Sequence, residues 1–147
     1  MKTKVIVMAA MVTVLLAVGA CSPAMGTPLP GEVKIEVTID EFMATKHIAR
    51  EVIVPDGGVL VIKLGSNPST GFHWDETVKI PDSSVLQQTS NKLLVPEAKG
   101  IVGSPGSQVW TFKTLQKGKT TVSMGYSQPW VGGEKGIWTF ELTVTVK

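Results

Sequence analysis

In the stretch Ile137-Trp138-Thr139-Phe140-Glu141-Leu142-Thr143-Val144-Thr145-Val146, the apolar Trp138, Phe140, Leu142, Val144 and Val146 alternate with Thr139, Glu141, Thr143 and Thr145. Successive side chains of a strand point to opposite faces, so this period of two predicts a strand with one face buried. The same grammar runs back along the chain. Val33, Ile35, Val37 and Ile39 alternate with Lys34, Glu36 and Thr38, and further strand signals lie at Ile48–Val54, Val59–Leu64, Phe72–Trp74, Gln108–Thr114 and Thr120–Tyr126. Turn-forming residues separate them: Pro55-Asp56-Gly57-Gly58, Lys117-Gly118-Lys119 and Gly132-Gly133. The Lys117–Lys119 turn is expected to close a hairpin. No segment after the first twenty residues sustains a 3.6-residue apolar period. The expected fold is all-β, an immunoglobulin-like antiparallel β-sandwich of about seven strands.

The chain has 147 residues, enough for one domain with a core. Lys2 and Lys4 precede an apolar run from Val5 to Val18, broken by Thr13. That is a basic segment followed by an h-region too short to span a bilayer, which needs about 20 apolar residues. The run ends in Val18-Gly19-Ala20-Cys21, which resembles the lipobox of bacterial lipoproteins, where the cysteine sulfur takes a diacylglycerol and the chain is cut before it. Residues 1–20 thus read as a signal peptide. Residues 21–32, with Pro23, Pro28 and Pro30, read as the lipidated cysteine and a flexible tether, and residues 33–147 as the folded domain. The expected location is the cell envelope, on its periplasmic or cell-surface side, with the membrane engaged through lipid on Cys21.

Cys21 is the only cysteine, so an internal disulfide and a thiolate metal cluster are excluded. Charge excludes more. The net +2 includes Lys2 and Lys4; removing residues 1–20 leaves 12 basic residues against 12 acidic ones, a neutral domain unsuited to nucleic acid. His47 and His73 are far apart in sequence, and His73 should face solvent between the inward Phe72 and Trp74. Asp40-Glu41 and Asp75-Glu76 are adjacent carboxylates that diverge on extended chain. No nucleophile–base pair, metal set or phosphate loop emerges, so neither an enzyme nor a cofactor is expected.

Three loops carry more specific chemistry. In Ser66-Asn67-Pro68-Ser69-Thr70-Gly71-Phe72-His73-Trp74, Pro68 fixes one φ and Gly71 permits a positive one. Gly100-Ile101-Val102-Gly103-Ser104-Pro105-Gly106-Ser107 combines glycines with two aliphatics that no strand buries. In Tyr126-Ser127-Gln128-Pro129-Trp130-Val131-Gly132-Gly133, Trp130 sits on a loop, either folded back onto the sandwich or presented for binding. Trp74, Trp110 and Trp138 are expected in the core.

Together the loops resemble the chagasin family of cysteine-peptidase inhibitors, whose signature is an Asn-Pro-Thr-Thr-Gly-Tyr loop, a Gly-X-Gly-Gly loop and an Arg-Pro-Trp loop in that order. Here they read Asn67-Pro68-Ser69-Thr70-Gly71-Phe72, Gly103-Ser104-Pro105-Gly106 and Gln128-Pro129-Trp130. The resemblance implies a monomeric, tight-binding, reversible inhibitor of papain-like cysteine peptidases, with loops from one end of the sandwich wedged into the active-site cleft. It would place Ser69 and Thr70 over the catalytic cysteine and histidine. Val102 or a neighbour would lie near the specificity pocket, and Trp130 would pack on the primed side. Gln128 in place of arginine and Pro105 in place of an inner glycine are expected to alter potency or target choice. The alternative is an immunoglobulin-like envelope lipoprotein that binds another protein or a glycan without inhibition.

Overall fold

The computed structural model describes residues 31–95 and 105–147. The signal segment, Cys21 and most of the tether lie outside the described residues, as do Val102, Gly103 and Ser104.

Among the described residues, eight strands build two four-stranded sheets. The strands are β1 (Glu32–Val37), β2 (His47–Val54), β3 (Val59–Ser66), β4 (His73–Trp74), β5 (Leu86–Leu94), β6 (Gly106–Thr114), β7 (Gly118–Ser127) and β8 (Trp138–Val146). One sheet has the order β1-β3-β6-β5 and the other β2-β8-β7-β4. The inward faces meet in one core that includes Leu60, Ile62, Leu64, Trp74, Trp110, Phe112, Val122, Phe140, Leu142 and Val144, all at most 1% exposed. Trp138 is half-buried and packs against the core edge. Alternation in β8 is as the sequence predicts, with Phe140, Leu142, Val144 and Val146 buried and Glu141 exposed.

Four expectations change. The sandwich is mixed rather than antiparallel, because β1 pairs with β3 and β2 with β8 in parallel. Parallel neighbours need a connection longer than a hairpin, and the chain supplies it: β1 reaches β3 only through a helix and β2. That helix, α1 (Ile39–Ala44), is the second change, since Ile39 continues the alternation of β1 in the sequence yet opens a helical turn. Thr38 and Glu41 form a capping box in which the Thr38 side chain accepts from the Glu41 N–H and the Glu41 carboxylate accepts from the Thr38 N–H at 2.8 Å. Two helix-end donors are satisfied at once, and this local bonding overrides a weak strand pattern. Phe42 then drops into the core, fully buried, with ring centroids 4.9 Å from Trp74 and 5.5 Å from Trp138.

The third change is β5, whose Gln87–Lys92 segment is too polar to register as a strand; it lies at a sheet edge and buries chiefly Leu86. The fourth concerns Lys117-Gly118-Lys119. It does not close a hairpin but carries the chain from β6 in one sheet to β7 in the other. Gly118 makes that crossing possible, for a Cβ there would stand 2.7 Å from the Val85 side chain.

On the outer surface, Glu36 accepts from Lys63 Nζ at 2.6 Å, a bond that holds its carboxyl below the usual carboxylate range. Glu41 is lowered chiefly by the Thr38 N–H, and it also pairs with Arg50 at 2.6 Å.

Candidate functional site

Strand registers decide where the loops go. Ser66 at the end of β3 pairs with Gly106 at the start of β6, and Leu94 at the end of β5 pairs with Ser107. In the other sheet, Tyr126 near the end of β7 pairs with Trp138 at the start of β8, and His73 of β4 pairs with Ser127. The β3–β4 crossing and the β7–β8 hairpin therefore lie at one end of the sandwich, the end at which β5 stops and β6 begins. They are the first and third loops singled out in the sequence, and residues 100–104 of the second lie outside the described residues.

The first loop is a compact knot. Pro68–Thr70 make a single 3-10 turn, closed by the Thr70 and Gly71 N–H groups donating to the Asn67 and Pro68 carbonyls at 3.2 and 3.1 Å. The Ser69 hydroxyl donates to Asn67 Oδ1 at 2.6 Å, and the Thr70 hydroxyl donates to the Asn67 carbonyl at 2.7 Å. Asn67 thus organises the turn that leaves Ser69 and Thr70 exposed at its crest. Gly71 ends the turn in the left-handed region at φ 78°, as the sequence anticipates. Pro68 needs no N–H there, which suits its place at the start of the turn.

A strut from the core holds this knot. The Asn67 N–H donates to the Tyr126 hydroxyl at 2.9 Å. The Tyr126 ring, 1% exposed, stacks on Trp138 at 4.8 Å and on Phe72 at 5.6 Å and leans on Trp74 at 5.0 Å. Tyr126 belongs to strand β7, so one rigid element supports the first loop and begins the third. Its sequence signature is that of an ordinary inward strand residue, which is why its role as a strut is invisible there.

In the third loop, Trp130, Val131, Gly132 and Gly133 form a type II turn, with the Gly133 N–H donating to the Trp130 carbonyl at 3.2 Å and Gly132 at φ 80°. Val131 caps that turn, wholly exposed, and Trp130 is 50% exposed. The indole lies across to the first loop: a Cβ on Gly71 would stand 2.6 Å from Trp130 Cη2. Trp130 is therefore partly backed by the neighbouring loop and partly open to a partner.

Gln128 spends its hydrogen bonds within its own loop. Its N–H donates to the Glu134 carbonyl at 2.8 Å, and its side-chain Oε1 accepts from the Glu134 N–H at 3.0 Å. The amide closes its own loop. Of the second loop, Pro105 is exposed and Gly106 already belongs to β6, where a Cβ would meet the Leu94 carbonyl at 2.5 Å. Gly106 is thus required by close approach of β5 and β6. His73 faces solvent as expected, on the rim of an open cleft beside Asp75 and Glu76. Among the described residues no group of acidic, histidine or cysteine side chains is arranged to hold a metal ion.

Residues 54–144 match the family model described as Chagasin family peptidase inhibitor I42. The chain belongs to this family. Amoebiasin-2 of Entamoeba histolytica is 32% identical over 112 residues, covering 76% of this chain and 84% of that protein. Among solved structures, the crystal structure of the cysteine protease inhibitor EhICP2 from the same organism superposes with a TM-score of 0.61 at 25% identity, over 80% of this chain and 99% of that one. The structure of PbICP-C in complex with falcipain-2 superposes with a TM-score of 0.55 at 21% identity, over 79% of this chain and 98% of that one, a likeness of fold. Chagasin-family membership makes the chain a peptidase inhibitor and not an enzyme.

Proposed function

We propose that the domain inhibits papain-like cysteine peptidases by seating its three loops in the active-site cleft, without covalent chemistry. The observation that supports this most is the joint geometry of the first and third loops: a hydrogen-bonded crest with Ser69 and Thr70 exposed, and Trp130 beside it with its indole on Gly71. Ser69 and Thr70 are small enough to enter a narrow slot above a catalytic cysteine and histidine. The 3-10 turn bends the backbone away from the extended form a peptidase needs for attack on a carbonyl. Trp130 supplies a stiff, half-open aromatic surface of the kind that anchors protein interfaces. Both loops hang from a core strut, so little ordering cost remains to be met on binding. Val102, Gly103 and Ser104 of the second loop are assigned the unprimed side by resemblance alone.

The test is titration of papain with the chain from Gly31 to Lys147, which holds all eight strands and the whole described core. The expected result is stoichiometric, reversible loss of activity. Binding without loss of activity would favour the non-inhibitory envelope module, and a folded domain that neither binds nor inhibits would overturn the reading.

We propose further that the inhibitor is attached to a membrane. Cys21, after the apolar run and the small residues Gly19 and Ala20, would carry a diacylglycerol and hold the inhibitor at the envelope surface. Full-length chain expressed in a bacterium with labelled fatty acid should take up label and partition with membranes. The Cys21→Ser chain should do neither, and equal labelling of the two would end the assignment.

A further inference from the structure

The carbonyls of Gln128 and Trp130 flank Pro129 and face a common cation. Lys135 Nζ donates to the Trp130 carbonyl at 3.1 Å and also to the Gln128 carbonyl. We infer that Lys135 is the positioning residue of the third loop, a clamp whose ammonium bridges two alternate carbonyls and so fixes the direction in which Trp130 leaves the backbone. This rests on the reading of Trp130 as a peptidase-binding residue.

The loop's other bonds leave that job undone. The Gln128 N–H and side chain tie its base to Glu134, and the Gly133 N–H closes the turn beyond Trp130. Neither engages the Gln128–Pro129 peptide unit, whose carbonyl Lys135 takes up, and Pro129 itself has no N–H to donate. The Trp130 carbonyl is shared between Lys135 and the Gly133 N–H. Gln128 also lies beyond the β7–β8 ladder, whose last pair is Tyr126 with Trp138. An ammonium has three donors and no acceptor, so one lysine can satisfy both carbonyls together. Charge-assisted bonds of this kind are stronger than neutral ones. Two of them spanning Pro129-Trp130 hold the backbone torsions that aim the indole at Gly71. Gly133 lets the loop close tightly over this arrangement, since a Cβ there would meet Gln128 Cβ at 2.6 Å and Trp130 Nε1 at 3.0 Å.

Gln128 removes the cation that the family's Arg-Pro-Trp motif carries, and its amide is engaged within the loop. Lys135 places a positive charge on the carbonyls of Gln128 and Trp130 from the other arm of the hairpin. It lies seven residues on, where no motif would reveal it.

The experiment compares wild type, Lys135→Met and Lys135→Arg in the chain from Gly31 to Lys147. Two readouts are taken: the Trp130 indole N–H resonance, assigned by its loss in Trp130→Phe, and dissociation from papain. Lys135→Met should shift and broaden the indole resonance, with dissociation roughly tenfold faster and the association rate little changed, because affinity differences among related complexes lie mostly in the off-rate. Lys135→Arg should restore both, since a guanidinium can bridge two carbonyls. An indole resonance unmoved in Lys135→Met would overturn the clamp. So would a shifted resonance that Lys135→Arg fails to restore. The resonance is read in the free protein, so failure of papain inhibition by wild type would end the inhibitor reading while the clamp is still decided.

Discussion

Replacing Gly71 by alanine is expected to weaken inhibition of papain by about two orders of magnitude while leaving the sandwich folded. Two effects arise, the first on stability and the second on binding. An L-residue held in the left-handed region costs about 1–2 kcal/mol, and Gly71 sits there at φ 78°. The new methyl would also stand 2.6 Å from Trp130 Cη2, so the indole must leave its seat. Displacing an interface anchor costs about 2 kcal/mol or more in binding, and each 1.4 kcal/mol is about tenfold in affinity. Gly132→Ala separates the two effects, because Gly132 has φ 80° but nothing within 4 Å of where its Cβ would be. It should lose stability by a similar left-handed penalty and lose much less potency. Equal inhibition constants for the two variants would show that backbone strain, not the Gly71–Trp130 contact, is what matters. Unchanged inhibition by Gly71→Ala would remove the contact from the mechanism altogether.

That contact marks a boundary in what the sequence discloses. The period of two placed β2, β3, β6, β7 and β8 close to where they lie, because each of these strands has one face on the core and one outward. Gly71 was legible as a positive-φ position, since proline before it and glycine at the end of a short turn is chemistry written locally. β5 was not legible, because an edge strand can fold with few buried residues and so lacks alternation. Nor was α1, where a capping box from Thr38 to Glu41 decided the matter against Ile39's place in the alternation. The parallel pairing of the edge strands and the sheet-to-sheet role of Gly118 depend on how distant segments meet. The same holds at the site. Asn67, Ser69 and Thr70 are bonded within the loop, but Tyr126, Gly133 and Lys135 act on it across space. Gln128 shows the converse: its position in the motif was plain, and its use as a brace for Glu134 was not.

Trp130→Ala should lower potency against papain at least as much as Gly71→Ala, at little cost in stability. The indole is 50% exposed in the free protein, and partly exposed side chains away from the core usually change stability by less than about 1 kcal/mol. In a complex the same surface would be desolvated against the partner, where truncating a tryptophan anchor costs about 2–4 kcal/mol, roughly 30- to 1,000-fold. Thermal unfolding and the inhibition constant, measured on the same preparation, separate these outcomes. A large fall in both would mean that Trp130 is a packing residue of the loop cluster and not an anchor. The double variant then tests how Trp130 is held. With the indole gone, the methyl of Gly71→Ala has nothing to strike, so only the left-handed penalty of the first loop remains. The loss in Gly71→Ala/Trp130→Ala should therefore fall short of the sum of the single losses by about 1–2 kcal/mol, the coupling expected of residues in contact. Additive losses would mean that the indole binds from a position Gly71 does not set, and the two loops would then act as independent contacts rather than as one preformed wedge.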